Sequence, residues 1–474
     1  MKNYRILAIM VAVIAVSFAF VGFECSSAEL TSAKLYYSKS EWDKAEAQLQ
    51  KDLNNNPQDE EAWYLLGRVR AQKQNWSGML DAFQHALKIS DVDKKDIDAV
   101  TEHYWVQFYT EGAKYLQSGK DSSDAYAKAV IAFNNAILLE PDSLINYKGM
   151  AYAYLNMNYN DSAIGPLNIL WTKQKDEDAA KFLSEIYLEN GRKLKSDFQN
   201  DNGGKLDTLK NVNSIEQGVS EEEVSATLGQ PDQKNSLQPT KAKVKKKAVT
   251  QNASSDVWTY KTYGLTLTFE SDRITEKKVD FVYNPQIDSS KYQLAMVQFD
   301  SALSILVPAS KIYPEDQTLI TLLTNTYIAA EKTLEATDAF KVAAEKNPDN
   351  KDYQYDYGVI LLKGNSFQGA IDQFTKTLKI DPQYWNAVYN LGATYVNWGV
   401  QIQGVASQSS DPDSLHKAVS AKFEQSIPYL EKYSTYKNDD PNLWELLAKV
   451  YAFMNNTQKA QDAIQKSDSL RQVH

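Results

Sequence analysis

From Gln317 onward the chain repeats a pattern of large and small apolar positions. Leu323, Tyr327, Ala336, Phe340, Ala343 and Pro348 are followed 34 residues later by Tyr357, Leu361, Ala370, Phe374, Thr377 and Pro382, and a third round opens with Leu391, Gly392 and Tyr395. Within each round the apolar residues recur at three- and four-residue steps, which predicts a pair of amphipathic helices. Gly or Ala at the eighth position and Ala at the twentieth let the two helices approach closely, while the aromatics fill the space beside them. The proline after the second helix prevents its continuation.

The same register returns along the chain. Trp63, Leu66, Gly67, Phe83 and Ala86 fit it, with Met79 where alanine is usual; so do Tyr36, Ala45, Leu49 and Pro57, then Ala129, Phe133, Ala136 and Pro141, then Tyr147, Ala151, Tyr154 and Ala163, and near the C-terminus Trp444, Leu447, Ala448, Tyr451 and Ala460. About nine or ten copies are present, above the three that a self-supporting stack needs. Period and residue types resemble the tetratricopeptide repeat, which implies antiparallel helix pairs stacked into an α-solenoid. Two copies are stretched between their helices by the polar inserts "SGKDSSDAYAK" and "QIQGVASQSSDPDSLHK", read as surface insertions.

One region breaks the rhythm. After "FLSEIYLENGRKLKSDFQNDNGG", where Gly203 and Gly204 are expected to stop a helix, comes "SIEQGVSEEEVSATLGQP". Ser220 followed by Glu223 predicts a capping box opening a short helix toward Gly229 and Pro231. The runs "VWTYKT", "LTLTFES" and "KKVDFV" alternate apolar and polar residues and predict strands, with Trp258 in the sheet core. The order Gly218, "LGQP", Trp258, Tyr260 and "LTLTFE" resembles the SmpA/OmlA (BamE-like) family. That resemblance implies two helices on a short antiparallel sheet, working as a protein-binding module of the bacterial envelope. It departs from the family in a long link carrying Lys241, Lys243, Lys245, Lys246 and Lys247. The expected fold is therefore mainly α: a tetratricopeptide array over 29–202, a BamE-like α+β domain over 203–285 with a Lys-rich loop at 232–254, and a second array over 286–474.

The N-terminus bears on compartment. Lys2 and Arg5 precede the uncharged apolar run "ILAIMVAVIAVSFAFVGF", the layout of a secretory signal, with Ser26 and Ala28 suiting cleavage before Glu29. Residues 1–28 are read as a signal peptide, placing the mature chain in the periplasm or at the outer membrane. The alternatives are lipidation at Cys25, which Glu24 disfavours, and an uncleaved anchor giving membrane attachment through the N-terminus. Cleavage removes Lys2, Arg5 and Glu24 from the 51 basic and 61 acidic residues, leaving 49 against 60, a net charge of −11. So acidic a chain is a poor match for nucleic acid, which needs a basic footprint, and the lysines of the link are read as a solvated insertion because no aromatics interleave them. Loss of the single cysteine leaves no thiol chemistry.

No catalytic constellation stands out. His85, His103, His416 and His474 show no metal-ligand spacing, and no Walker loop, nucleophile elbow or dinucleotide fingerprint occurs. The acids at Asp59, Glu60 and Glu61 and at Glu221 to Glu223 sit at helix starts, where the macrodipole accounts for them. No enzyme activity, cofactor or metal is expected. The repeat resemblance implies instead an inner groove lined by the first helix of each pair, here by Tyr64, Arg68, Lys148, Tyr152, Asn325, Tyr355, Tyr389 and Lys449, suited to an extended peptide or protein partner. The leading function is a non-catalytic envelope scaffold; the alternative is an accessory subunit of an envelope enzyme, or an enzyme with a site of unfamiliar form.

Overall fold

The computed structural model describes residues 27–119, 123–237, 255–406 and 411–471. They form two compact units, one up to Ala179 and one from Ala180.

In the first unit helices follow one another in pairs: α1 (Ala28–Ser38) with α2 (Trp42–Asn55), α3 (Glu60–Gln72) with α4 (Trp76–Ile89), α5 (Lys94–Ser118) with α6 (Ser123–Leu139), and α7 (Leu144–Asn156) with α8 (Asn160–Gln174). Caps mark several starts: the Asp59 carboxylate accepts from the Ala62 amide at 3.0 Å, and the Asn75 side chain accepts from Gly78 at 3.0 Å. The expected small positions are where the helices touch. A Cβ added at Gly67 on α3 would lie 2.3 Å from the Phe83 ring on α4, closer than atoms can approach. Phe83, Ala82, Ala86 and Met79 are fully buried around that crossing.

Most of a long helix, α9 (Glu177–Ser214), belongs to the second unit, and it runs through Gly203 and Gly204 where a stop was expected. Each glycine weakens a helix by about 1 kcal/mol, but packing on both sides of the pair outweighs this. Before it the helix packs against α11 (Ser290–Ile312), where Gly191 seats the Phe299 ring so closely that an added Cβ would lie 2.4 Å from it. After it Val212 and Ile215 enter the core of the α+β module.

That module holds α10 (Glu221–Leu228), whose Ser220–Glu223 capping box forms as expected. Its sheet is an antiparallel meander of β1 (Gln233–Leu237), β2 (Ser255–Tyr260), β3 (Leu265–Glu270) and β4 (Arg273–Val279). Trp258, Tyr260, Leu265, Leu267, Phe269 and Ile274 make one buried face against Val212, Ile215 and Val224. The last strand begins four residues earlier than the sequence pattern indicated, because Ser271 and Asp272 both adopt left-handed backbone (φ 52° and 63°) and close a two-residue hairpin. The first strand had no apolar alternation to announce it, its residues 233–236 being exposed and polar.

The module therefore falls between the two partners of one such helix contact. Gly67 and Phe83 are 16 residues apart, as are Gly358 and Phe374; Gly112 and Phe133 are 21 apart, Gly399 and Phe423 are 24 apart, and Gly191 and Phe299 are 108 apart, all making the same close contact. In each case the extra residues fall between the glycine of the first helix and the phenylalanine of the second. The return to α11 is fixed to α9: the buried Asn202 amide donates to the Asp288 carbonyl at 3.2 Å and accepts from its amide at 3.3 Å, and Lys291 pairs with Asp201 at 2.6 Å. Beyond α11 come α12 (Gln317–Ala329), α13 (Thr333–Lys346), α14 (Lys351–Lys363), α15 (Phe367–Ile380), α16 (Trp385–Ala406), α17 (Pro412–Tyr436), α18 (Pro441–Phe453) and α19 (Thr457–Arg471).

Gly191→Ala forces Phe299 out of its seat and is expected to destabilise the second unit by about 1–3 kcal/mol, read as a lowered melting transition. An unchanged melt would show that Gly191 and Phe299 are not a repeat contact.

Candidate functional site

The side chains expected to line the groove are largely engaged with the next repeat. In the first unit Tyr64 and Arg68 converge on one acid of α5: the Tyr64 hydroxyl donates to Asp96 at 2.5 Å, and the Arg68 guanidinium donates to Asp96 and to the Tyr64 oxygen, both at 2.7 Å. Burial, together with the bond to Asp96, pushes the Tyr64 hydroxyl up to about 12. Lys148 and Tyr152 repeat the arrangement with base and tyrosine exchanged. The Lys148 ammonium reaches Asp176 at 3.1 Å and Asp178 at 3.0 Å, and the Tyr152 hydroxyl donates to Asp178 at 2.9 Å.

In the second unit bases and tyrosines again pair with acids of the adjoining repeat. Lys181 pairs with Asp316 and Lys351 with Asp381. The Tyr384 hydroxyl donates to Asp352 at 3.0 Å, and the Asn390 amide donates to the Tyr355 oxygen at 2.9 Å. Tyr355 also packs its ring on Phe374 and Tyr384, and Tyr389 packs on Tyr433 with centroids 5.0 Å apart. Both tyrosines pack, partly buried, against the hydrophobic clusters of their repeats, so they help to hold the stack together. Asn325 is half-buried on α12, and exposed Lys449 pairs with Glu445 one turn back at 2.8 Å.

The acids that receive these bonds are what the sequence reading passed over. Asp96, Asp178 and Asp352 each stand roughly 30 residues from their partners, a spacing that becomes visible once the repeat length is known. Asp356 is a different case. It is 3% exposed, with one carboxylate oxygen lacking any partner among the described residues. Burial first, then the Asp352 charge, push its carboxyl up to about 8 against a bond from Thr324.

Other expectations resolve more simply. Asp59 caps α3 as the dipole argument implied, while burial and then the Asp93, Glu61 and Asp59 charges push its neighbour Glu60 up to about 7. Trp258 is 3% exposed in the sheet core, with the Lys234 ammonium 4.4 Å above its ring. Among the described residues no group of three or more His, Cys, Asp or Glu side chains is placed to hold a metal ion, and no helix is long and apolar enough to cross a membrane. Cys25, the lysines from 241 to 247, and residues 120–122 and 407–410 of the two polar inserts lie outside the described residues.

A tetratricopeptide-repeat family model matches residues 30–93 and 322–384. No curated protein sequence matches the chain. Among solved structures, a crystal structure of MamA aligns over 40% of this chain and 97% of its own at 16% identity with a TM-score of 0.30, and MamA MSR-1 C2 aligns over 37% of this chain and 88% of its own at 15% identity with a TM-score of 0.28. The chain thus carries tetratricopeptide repeats.

Two outcomes follow from this geometry. Tyr355→Ala removes a packed ring and is expected to cost about 3 kcal/mol of stability, measured by denaturant titration; a change below a few tenths would leave the residue free for a partner. For Asp356 the folded state keeps a proton that the unfolded chain releases near pH 4, so its contribution to stability is full below about pH 4 and falls as pH rises toward about 8. Asp356→Asn should remove that decline and raise the melting temperature at pH 8 relative to the parent chain. A parallel loss at pH 5 and pH 8 would contradict it.

Proposed function

We propose that this chain is an exported, non-catalytic scaffold of the bacterial cell envelope that binds partner proteins or peptides through its repeats. Tetratricopeptide repeats are interaction modules, and the observation that carries the reading is the repeated helix pair itself, with its glycine–phenylalanine contact, matched by the family model in two separate stretches of the chain. The ridge of inter-repeat bonds supports it further. Tyr64, Arg68, Lys148 and Tyr152 are held in fixed geometry by Asp96 and Asp178 while remaining only half-buried, so a partner meets side chains already ordered, which lowers the entropic cost of association.

The envelope assignment rests on the N-terminal apolar run after Lys2 and Arg5 and on the resemblance of the central module to the BamE-like family. The four-stranded antiparallel sheet with the end of α9 and α10 packed on it is consistent with such a module, which then contributes a second protein-binding surface. A soluble, periplasm-facing chain starting at Glu29 is the form proposed.

Intact-mass measurement of the chain purified from cells tests the compartment: a start at Glu29 supports export and cleavage, an acylated Cys25 replaces it with a lipoprotein, and a retained Met1 overturns export by cleavage. Affinity purification from membranes tests the scaffold. Reproducible envelope partners, weakened by Arg68→Ala or Lys148→Ala by roughly tenfold if those side chains are hot spots, are expected; substrate turnover by the isolated protein would overturn the reading.

A further inference from the structure

Asp52 is an acid in an apolar place. It is 1% exposed on α2, whose Leu49 and Leu53 belong to the hydrophobic cluster of the first repeat. One of its carboxylate oxygens accepts from the Ser27 hydroxyl, and the other has no partner among the described residues. Burial first pushes this carboxyl up, the bond from Ser27 opposes the rise, and the Asp59 and Glu29 charges add to it. A buried carboxylate held by one hydroxyl is costly unless a counter-charge meets it.

Ser27 is at the same time the N-cap of α1. Its side-chain oxygen accepts from the Leu30 amide at 2.8 Å and its carbonyl from the Thr31 amide at 3.0 Å. Cleavage before Glu29 removes both acceptors, takes from Asp52 its one bond, and leaves an ammonium at Glu29. On its own, a positive charge at a helix N-terminus opposes the macrodipole. The nitrogen that carries it is the backbone neighbour of the Leu30 nitrogen, which the Ser27 oxygen already links to Asp52. Ser27 also lines a cavity of about 520 Å³ with Leu30, Asp59, Glu60 and Glu61, and every charged residue of that lining is an acid.

We propose that cleavage creates its own anchor: the α-ammonium of Glu29 takes the place of the Ser27 hydroxyl and pairs with Asp52, fixing α1 to α2 in the mature chain. This inference rests on the proposed cleavage before Glu29. In the uncleaved chain the position is held by Ser27, so the ion pair exists only after processing. A primary ammonium has three donors, enough for both Asp52 oxygens, and the pair gives the buried carboxylate a counter-charge that the side chains around it do not supply.

The test uses the full mature chain made to begin at Glu29, its α-amine either free or selectively acetylated, and follows hydrogen exchange of the α1 amides. Acetylation ordinarily strengthens a helix by removing the positive charge at its N-terminus. Here it is expected to speed exchange across α1 by about tenfold, and in an Asp52→Asn chain to slow exchange or leave it unchanged. Slower or unchanged exchange in the acetylated parent chain overturns the pairing, as does an equal acceleration in Asp52→Asn. Should Asp52→Asn leave α1 unfolded, titration of the α-amine in the parent chain decides: pairing raises it above the ordinary range of about 7.7–8.0, and an unshifted value overturns the proposal. Intact mass reads cleavage separately. A chain from cells that keeps Met1 or Ser27 overturns the maturation role, whereas a start at Glu29 with unchanged exchange overturns the pairing alone.

Discussion

The structure depends on one close approach, a helix backbone laid against an aromatic ring. Where Gly67 meets Phe83, or Gly191 meets Phe299, the second helix of a pair sits so near the first that even one methyl group cannot be placed between them. Interiors are packed to crystal-like density, so this contact fixes both the spacing of the two helices and the register of one along the other. What lies in the turn beyond it is left almost unconstrained. Loop-closure entropy grows only slowly with loop length, which is why the same contact survives separations of 16, 24 and 108 residues.

That tolerance gives the central module its place. The module shares α9 with the repeat it interrupts, its core being completed by Val212 and Ile215 at the end of the helix whose earlier turns seat Phe299. The Asn202 amide then ties the returning chain to the same helix through both groups of Asp288. Two points of attachment, one covalent and continuous and the other a buried two-bond clamp, make the inserted sheet an extension of the repeat.

Much of this was legible in the sequence, and the limits of that legibility are physical. Phe83, Phe340 and Phe374 announced the helix pairs because periodicity reports burial, and Ser220 with Glu223 announced α10 because a cap is a local interaction. Gly203 and Gly204 misled because propensity is local while the packing that overrides it comes from Phe299 on one side and the sheet on the other. The strand Gln233–Leu237 was silent because it is held by backbone bonds to β2 and its exposed side chains carry no alternation. Tyr64 and Tyr152 were read one repeat at a time, whereas their bonds to Asp96 and Asp178 join residues a repeat apart, which no single repeat displays.

The bonds between successive repeats follow from the same rule. Where first helices are held at a set spacing, position-matched side chains of successive repeats come within bonding distance, and a tyrosine with a base can share one acid in either order, as at Tyr64 and Arg68 and again at Lys148 and Tyr152. Such exchange is expected if the acid, and not the order of its donors, is what the geometry fixes.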